Sequence, residues 1–228
     1  MKRLFFYISV FTMAVCLASC SNAEEEHHST YFYPTDLLSV DMYADQSETE
    51  VTLVSLDTWT AAAEGGWFTI SPNEARVPAG YQLTQNLKIT ASPNTTGLIR
   101  TGLIRVQAYS NLAMAVRQVP WLDIRRPAQY ISSGEKEGDP LVVTCEVTVN
   151  SDAATLPLHF VTYAPDATLV SDQPWITIEE ATFEAGENKP VLGLQPNTGT
   201  EARTANLTLT SAGIAAKIKV TQLEKQSD

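Results

Sequence analysis

Residues 67–71 read WFTIS, and residues 175–179, in the second half of the chain, read WITIE. Each stretch is a tryptophan followed by alternating apolar and polar residues, the two-residue period of a β-strand with one buried face. Other positions repeat with them, namely Pro93-Asn94-Thr95 with Pro196-Asn197-Thr198, Arg100-Thr101 with Arg203-Thr204, and Gln118 with Gln222. The four offsets are 108, 103, 103 and 104 residues. Such constant spacing predicts two tandem copies of one strand plan.

The fold class follows from the same alternation, which continues through most of the chain. No stretch of a dozen residues has the 3.6-residue period of a helix, and clusters of turn-forming residues separate the alternating segments. We therefore predict an all-β protein built of two tandem β-sandwiches. The predicted strands are 51–56, 87–91, 103–108, 113–119, 141–149, 156–162, 205–210 and 215–222.

The repeat also sets the expected domain boundaries. The first sandwich is predicted at 36–124 and the second at 134–228, and the linker between them, 125–133, contains a proline and small residues. Residues 20–35 form a tether before the first sandwich. Its aromatic run Tyr31-Phe32-Tyr33 is a candidate for an added strand of that sandwich.

The first residues have the form of a signal peptide. Lys2 and Arg3 precede a mainly apolar run, residues 4–15, which is shorter than the roughly 20 residues that a spanning helix needs. The run ends in Leu17-Ala18-Ser19-Cys20, which resembles the lipobox of bacterial lipoproteins. The resemblance implies removal of residues 1–19 and acylation of Cys20, with palmitate or related chains. More than one acyl chain anchors a protein stably, so we expect the mature protein to stay at its membrane.

An acidic segment, residues 21–26 (SNAEEE), follows the cysteine. It resembles the export tags that carry some lipoproteins of Gram-negative gut anaerobes to the cell surface. The alternative is a solvated linker. The expected location is the outer membrane, with the protein exposed at the cell surface.

The charge of the chain excludes one class of partner. The net charge is −11, and residues 1–19 carry two of the 15 basic residues and none of the 26 acidic ones, so the mature chain carries −13. A surface of this sign repels phosphate backbones. We expect no nucleic-acid partner.

The sequence contains no recognisable catalytic motif, so we predict a protein that is not an enzyme and has no cofactor. Cys145 is the one thiol of the mature fold besides the anchor, and its strand alternates so that the thiol faces a core rather than a reactive site. His27 and His28 lie in the tether, where a flexible chain gives no preorganised metal site. No metal site is predicted.

The repeated residues resemble those of a known family. A tryptophan with an alternating strand, an Asn-Thr turn, an Arg-Thr pair opening a strand and a closing strand that ends in glutamine together resemble the BACON domain, an immunoglobulin-like module of exported gut-bacterial proteins. The first copy also has Trp59, which the second lacks. The resemblance implies two immunoglobulin-like sandwiches. It also implies either carbohydrate or mucin binding, or a role as a spacer, and no defining set of residues comes with it.

Aromatic residues are the candidates for a glycan site, because sugar rings stack on exposed aromatic faces. Trp59, Trp67 and Trp175 occupy strand positions of the repeat, so we predict them in the cores. Trp121 follows Pro120 and has no counterpart in the second copy; it either packs at the junction of the sandwiches or is exposed near the linker with Tyr130. The candidate ligand-binding residues are Trp121, Tyr130, Tyr109 and Tyr81.

Four repeated polar residues receive structural interpretations. Arg100 and Arg203 stand beside turns, where their guanidinium groups can bond loop carbonyls, and Gln118 and Gln222 end the closing strands. Two hypotheses therefore remain. One is a surface lipoprotein that binds glycan, and the other is a spacer or a subunit that pairs with another surface protein.

Overall fold

The computed structural model describes residues 27–225 except 38, 128 and 133–141, and for 129–132 and 142–143 it describes the backbone alone. In this part of the chain every regular element is a β-strand, which confirms the all-β prediction. No helix among the described residues is long and apolar enough to cross a membrane.

The strands of the first sandwich, module 1, form two sheets. One has the order β1-β3-β7-β5 and the other β2-β9-β8-β4-β6, and β2 runs parallel to β9. The residues between the sheets are alternate strand residues such as Leu87 and Ile89, which are fully buried. The strands are β1 (Thr30–Tyr33), β2 (Ser39–Met42), β3 (Glu48–Ser55), β4 (Trp59–Glu64), β5 (Phe68–Ser71), β6 (Glu74–Ala75), β7 (Leu83–Ala91), β8 (Arg100–Gln107) and β9 (Leu112–Gln118).

The strands of module 2 form three sheets around one core. Their orders are β11-β12-β21-β20-β15-β17, β10-β14-β18 and β13-β19-β16. The strands are β10 (Asp123–Arg126), β11 (Gln129–Ser132), β12 (Val142–Val149), β13 (Thr155–Pro157), β14 (His159–Thr162), β15 (Ala167–Ser171), β16 (Ile176–Thr177), β17 (Thr182–Phe183), β18 (Gly186–Asn188), β19 (Val191–Leu194), β20 (Arg203–Ser211) and β21 (Ile214–Gln222).

The two modules share strand registers as well as sequence. Met42 pairs with Gln118 in the parallel pair β2–β9, and Val149 pairs with Gln222 in the parallel pair β12–β21. The Cys145 thiol lies in the module 2 core, 1% exposed, as its alternating strand predicts. Two tandem copies of one sandwich are thus confirmed at the level of hydrogen-bonded pairs.

The first strand of each module comes from the segment that precedes it. β1, in the predicted tether, pairs with β3, so the added strand expected from Tyr31-Phe32-Tyr33 is present. β10 pairs in the same way with β14 of module 2. Module 2 therefore begins at Asp123, earlier than expected. Its first strand takes the last two residues of the expected first sandwich and the first two of the expected linker. The connection between the modules is 119–122.

The predicted strand 156–162 is divided at Leu158. β13 joins the sheet that contains β19, whereas β14 joins β10 and β18. Pro157 has no N–H to continue a ladder, so the chain can change sheets at this point.

Candidate binding surfaces

A cluster of arginine, tryptophan and glutamine recurs in both modules. In module 1 the Arg100 guanidinium lies 4.8 Å from the centre of the Trp67 ring, and in module 2 Arg203 lies 4.5 Å from that of Trp175. These are cation–π distances. Each arginine also donates to the side-chain oxygen of the closing glutamine, Gln118 or Gln222. We call these two sets the Arg–Trp–Gln clusters.

Both clusters are tied to the backbone around them. Arg100 donates to the Ser92 carbonyl and Arg203 to the Gln195 carbonyl, each at 2.5 Å. These bonds confirm the structural role predicted for the arginines. Desolvation by burial lowers the pKa of Arg100.

The closing glutamines hold the loop that follows the parallel strand of their module. The Gln118 amide donates to the carbonyls of Tyr43, Ala44 and Gln46, and the Gln222 amide to that of Ser151. Both glutamines are fully buried. The repeated polar residues therefore secure the fold.

The tryptophans of the repeat differ in depth. Trp59 and Trp175 are buried, 1% and 5% exposed, as predicted. Trp67 is half-buried, packs against the edge of the core and donates its ring N–H to the Thr101 carbonyl at 3.2 Å.

The junction of the modules is formed by the loop after β2 and by the connection 119–122. The Asp45 carboxylate, 1% exposed, accepts hydrogen bonds at Oδ2 from the Tyr163 N–H at 2.9 Å and from the Ser211 hydroxyl at 2.7 Å. Ala44 and Leu122 lie within the core cluster of module 2. Asp45 therefore joins one module to a strand end and a hairpin of the other.

Trp121, one of the candidate ligand residues, lies in this connection. Its carbonyl accepts a hydrogen bond from the Ala44 N–H at 3.0 Å, and its side chain is half-buried. The structure thus places Trp121 beside the module junction.

Two tyrosines stack across the junction beside a charged group. The rings of Tyr43 and Tyr163 have centroids 5.7 Å apart and planes at 16°. Arg125 donates to the buried Asp123 carboxylate at 3.0 Å and lies 3.6 Å from Glu187. Burial, with a smaller contribution from Asp123, raises the pKa of Tyr163 to about 12. The same two causes raise the pKa of Tyr43, so both phenols are neutral at physiological pH.

Two candidate tyrosines are exposed at the end of module 1 where β1 begins. Tyr109, in the β8–β9 hairpin, is 71% exposed, and Tyr81, in the loop before β7, is 68% exposed. The His28 ring stacks on Tyr109 with centroids 3.7 Å apart and planes at 5°, and its Nδ1 lies 2.6 Å from Asp57. Both tyrosines lie at the end of module 1 that contains the β3–β4 turn. Leu83, which follows the Tyr81 loop, pairs with Ser55 before this turn, and Gln107, which precedes Tyr109, pairs with Thr60 after it. We call Tyr81, Tyr109, His28 and Asp57 the tyrosine surface.

The two remaining candidates lie outside what the structure describes. The Tyr130 backbone is part of β11, but its side chain is outside the described residues, and so is all of Cys20. Among the described residues no group of three or more histidine, cysteine or acidic side chains is placed to hold a metal ion.

A family model described as "BACON: Putative binding domain, N-terminal" matches residues 57–118 and 166–223, together just over half of the chain. The chain belongs to the BACON family. Each matched segment ends with the closing glutamine strand of one module, so the match repeats as the structure does. The second segment lies within module 2 from the turn before β15 onwards.

Comparison with solved structures finds chains of low identity, and with curated proteins it finds no match. A Bacteroides ovatus GH5 xyloglucanase in complex with a heptasaccharide is 18% identical over 48% of this chain, with a TM-score of 0.36; the BACON protein spans 23% of its length. The periplasmic chaperone SfaE is 12% identical over 86% of this chain and 100% of its own, with a TM-score of 0.33. The D0-D1 domain of intimin is 11% identical over 87% of this chain and 98% of its own, with a TM-score of 0.28.

The end of the second BACON module where β21 finishes contains a cleft of about 540 Å³ that sequence reasoning did not identify. Three loops line it, residues 150–152, 196–198 and 223–225. We call these loops the carboxyl-terminal surface. The Pro-Asn-Thr turn in one of them was visible in the sequence as a repeated turn, but its position beside the other two loops depends on the fold.

Proposed function

We propose that the protein is a non-enzymatic lipoprotein of the outer membrane, anchored by acylated Cys20 and exposed at the cell surface, where it binds glycan. The family description names a binding domain, which supports binding in general. The observation that carries the glycan proposal is the tyrosine surface, where two rings more than two-thirds exposed lie at one end of module 1.

The chemistry of this surface suits neutral sugars. Exposed aromatic rings offer apolar faces to the C–H side of a pyranose ring, and their hydroxyls remain free to bond sugar hydroxyls. The His28–Asp57 pair, at 2.6 Å, adds planar polar groups beside Tyr109. A mature net charge of −13 disfavours sulfated or sialylated chains, so the proposed ligand is a neutral glycan.

Binding can be tested with the unlipidated chain 21–228 in affinity gels that contain neutral plant or host polysaccharides, or mucin from which sialic acid and sulfate have been removed. Retention is expected, and removal of both rings in Tyr81→Ala/Tyr109→Ala should abolish most of it. An aromatic contact is worth about 0.5–1.5 kcal/mol beyond buried area, or roughly 2- to 10-fold in affinity for each ring.

The matched control for the double variant is Tyr33→Ala. Tyr33 is also an exposed tyrosine, at 60%, but it pairs with Thr52 at the far end of β1, five residues along the chain from His28 of the tyrosine surface. It should leave retention unchanged. Failure of the wild-type chain to bind any of these glycans would contradict the proposal.

The anchor has a separate test. Cells fed an alkyne-tagged palmitate should label the wild-type protein, whereas Cys20→Ser should lose the label and leave the membrane fraction. Labelling that persists in Cys20→Ser would disprove the assigned site.

The alternative function, a spacer or assembly subunit, is favoured by the module junction. Asp45 is buried with two hydrogen bonds that cross to module 2, and β10 continues directly from module 1. Such a connection links the two sandwiches through buried contacts as well as through the chain. Mild crosslinking of the native lipoprotein, followed by pull-down, tests this role; recovery of no surface partner would count against it.

A further inference from the structure

The carboxyl-terminal surface occupies the same place in module 2 as the junction occupies in module 1. In module 1 the Ala44 carbonyl accepts hydrogen bonds from the Gln118 amide and, at 2.7 Å, from the Asn94 N–H. In module 2 the Ser151 carbonyl accepts the corresponding bonds from Gln222, at 3.1 Å, and Asn197, at 2.8 Å. Ser151 therefore stands where Ala44 stands.

Neighbouring residues correspond in the same way. The Val119 N–H donates to the Met42 carbonyl at 2.9 Å, and the Leu223 N–H donates to the Val149 carbonyl at 3.0 Å. Leu223 thus matches Val119, the first residue of the connection. Asp152, which follows Ser151, takes the position of Asp45, the carboxylate that holds the junction.

The two surfaces differ in what covers them. In module 1 Asp45, which bonds to module 2, is 1% exposed, and Val119 is 7% exposed. In module 2 Asp152 is exposed and Leu223 is 38% exposed. The same loops are therefore buried in one copy and open in the other.

We propose that the carboxyl-terminal surface is a docking site for an immunoglobulin-like module of a different protein. Module 2 offers Asp45 a backbone N–H at the end of a strand and a hydroxyl group in the neighbouring hairpin. The end of the partner module must offer the same two donors to Asp152. Asp152 would accept both hydrogen bonds.

A second copy of this chain does not meet these requirements. In module 1 the residue at the position of Tyr163 is Leu56. The pair Leu53–Gln85 of module 1 corresponds to the pair Phe160–Asn188 of module 2, and Leu56 and Tyr163 each come three residues later. The Leu56 N–H is already bonded to the Ser29 carbonyl at 2.8 Å. At the position of Ser211 module 1 has Ala108, which has no hydroxyl. The exposed end of a second copy therefore presents neither donor.

The docking geometry can be tested by extending the full chain with a second copy of residues 122–225, placed directly after Lys225. Leu122 then follows Lys225 as it normally follows Trp121, and the appended module brings its own Tyr163 N–H and Ser211 hydroxyl to Asp152. Spin labels at Val170, which is 55% exposed, in the native and the appended module 2 report their separation by electron–electron resonance.

If the appended module docks, the distance between the two Val170 labels should have one narrow distribution. The reference is the distribution between labels at Tyr33 and Val170, which lie on either side of the natural junction, and the two should be equally narrow. Asp152→Ala in the extended chain should broaden the distribution between the last two modules and leave the first pair unchanged. A broad distribution in the extended chain without substitution would overturn the proposal. Protection of both Cys145 thiols from a thiol reagent shows that the appended module is folded.

A second measurement does not need the appended module to fold. A photocrosslinker at position 152 of the otherwise native protein, expressed in its host, should join it to the hairpin or strand end of an immunoglobulin-like module, identified by mass spectrometry of the linked peptides. Crosslinks to another copy of this chain, to unrelated folds or to no protein would overturn the proposal.

Discussion

The two BACON modules keep the same Arg–Trp–Gln cluster but differ at their ends. In both, an arginine lies over a tryptophan ring and bonds to the closing glutamine. The distance from the guanidinium to the ring centre is 4.8 Å in module 1 and 4.5 Å in module 2. The loop that contains Asp45 is covered by the next module, whereas the loop that contains Asp152 is open. The repeated residues therefore build the same sandwich in both modules. The modules differ in whether another module buries the loops at their ends.

The modules also differ within the shared cluster, because Trp175 is 5% exposed and Trp67 is half-buried. Removal of a buried tryptophan ring costs about 3–5 kcal/mol, so Trp175→Ala should lower the stability of module 2 by this amount. Trp67→Ala should cost module 1 clearly less. Denaturant-dependent hydrogen exchange measures each module separately, and equal losses would show that the clusters contribute alike despite their different depths.

A glycine gives a second contrast. Gly102 in β8 corresponds to Ala205 in β20, and a Cβ at position 102 would clash with the Glu64 carbonyl and the Phe68 ring. Gly102→Ala should therefore destabilise module 1 by about 1–3 kcal/mol, the usual cost of overpacking.

The reverse change, Ala205→Gly, is the matched control for Gly102→Ala and should cost module 2 about 0.5–1 kcal/mol through backbone entropy. Thermal unfolding of both variants provides the comparison. A Gly102→Ala protein as stable as the wild type would mean that β4 and β8 pack more loosely than the structure indicates.

The ends of the modules can be compared through their aspartates. Asp45→Ala leaves the Tyr163 N–H and the Ser211 hydroxyl without their acceptor in a buried place, which costs about 1–3 kcal/mol. Asp152→Ala, at the exposed equivalent, should change stability by less than about 0.5 kcal/mol. Asp45→Asn keeps an oxygen acceptor and should fall between the two. Urea unfolding followed by tryptophan fluorescence tests the series, and equal effects at 45 and 152 would contradict a buried junction.

The sequence predicts which side chains of each module are buried or exposed, but it does not predict the contacts between the modules. The alternation around Cys145 predicts its burial, and Tyr81 and Tyr109 fall outside the core pattern, as their exposure confirms. Strand β10 escapes prediction because it is four residues long and two of them are arginines. The bond from Tyr163 to Asp45 spans 118 residues, and no local pattern signals which loop meets which strand end.

The modules should also differ in alkaline stability. Burial raises the pKa of the Cys145 thiol from 9.0 to about 11, and module 1 has no thiol. Because the unfolded chain loses this proton first, the thiol's contribution is complete below pH 9 and is lost as the pH rises towards 11. Tyr163, with its pKa raised to about 12, adds a loss that begins near pH 10. Cys145→Ala should remove the part of the decline that begins near pH 9, as measured by urea unfolding from pH 8 to 11. A decline of equal size in Cys145→Ala and wild type would show that the thiol ionises as readily in the folded module as in the unfolded chain.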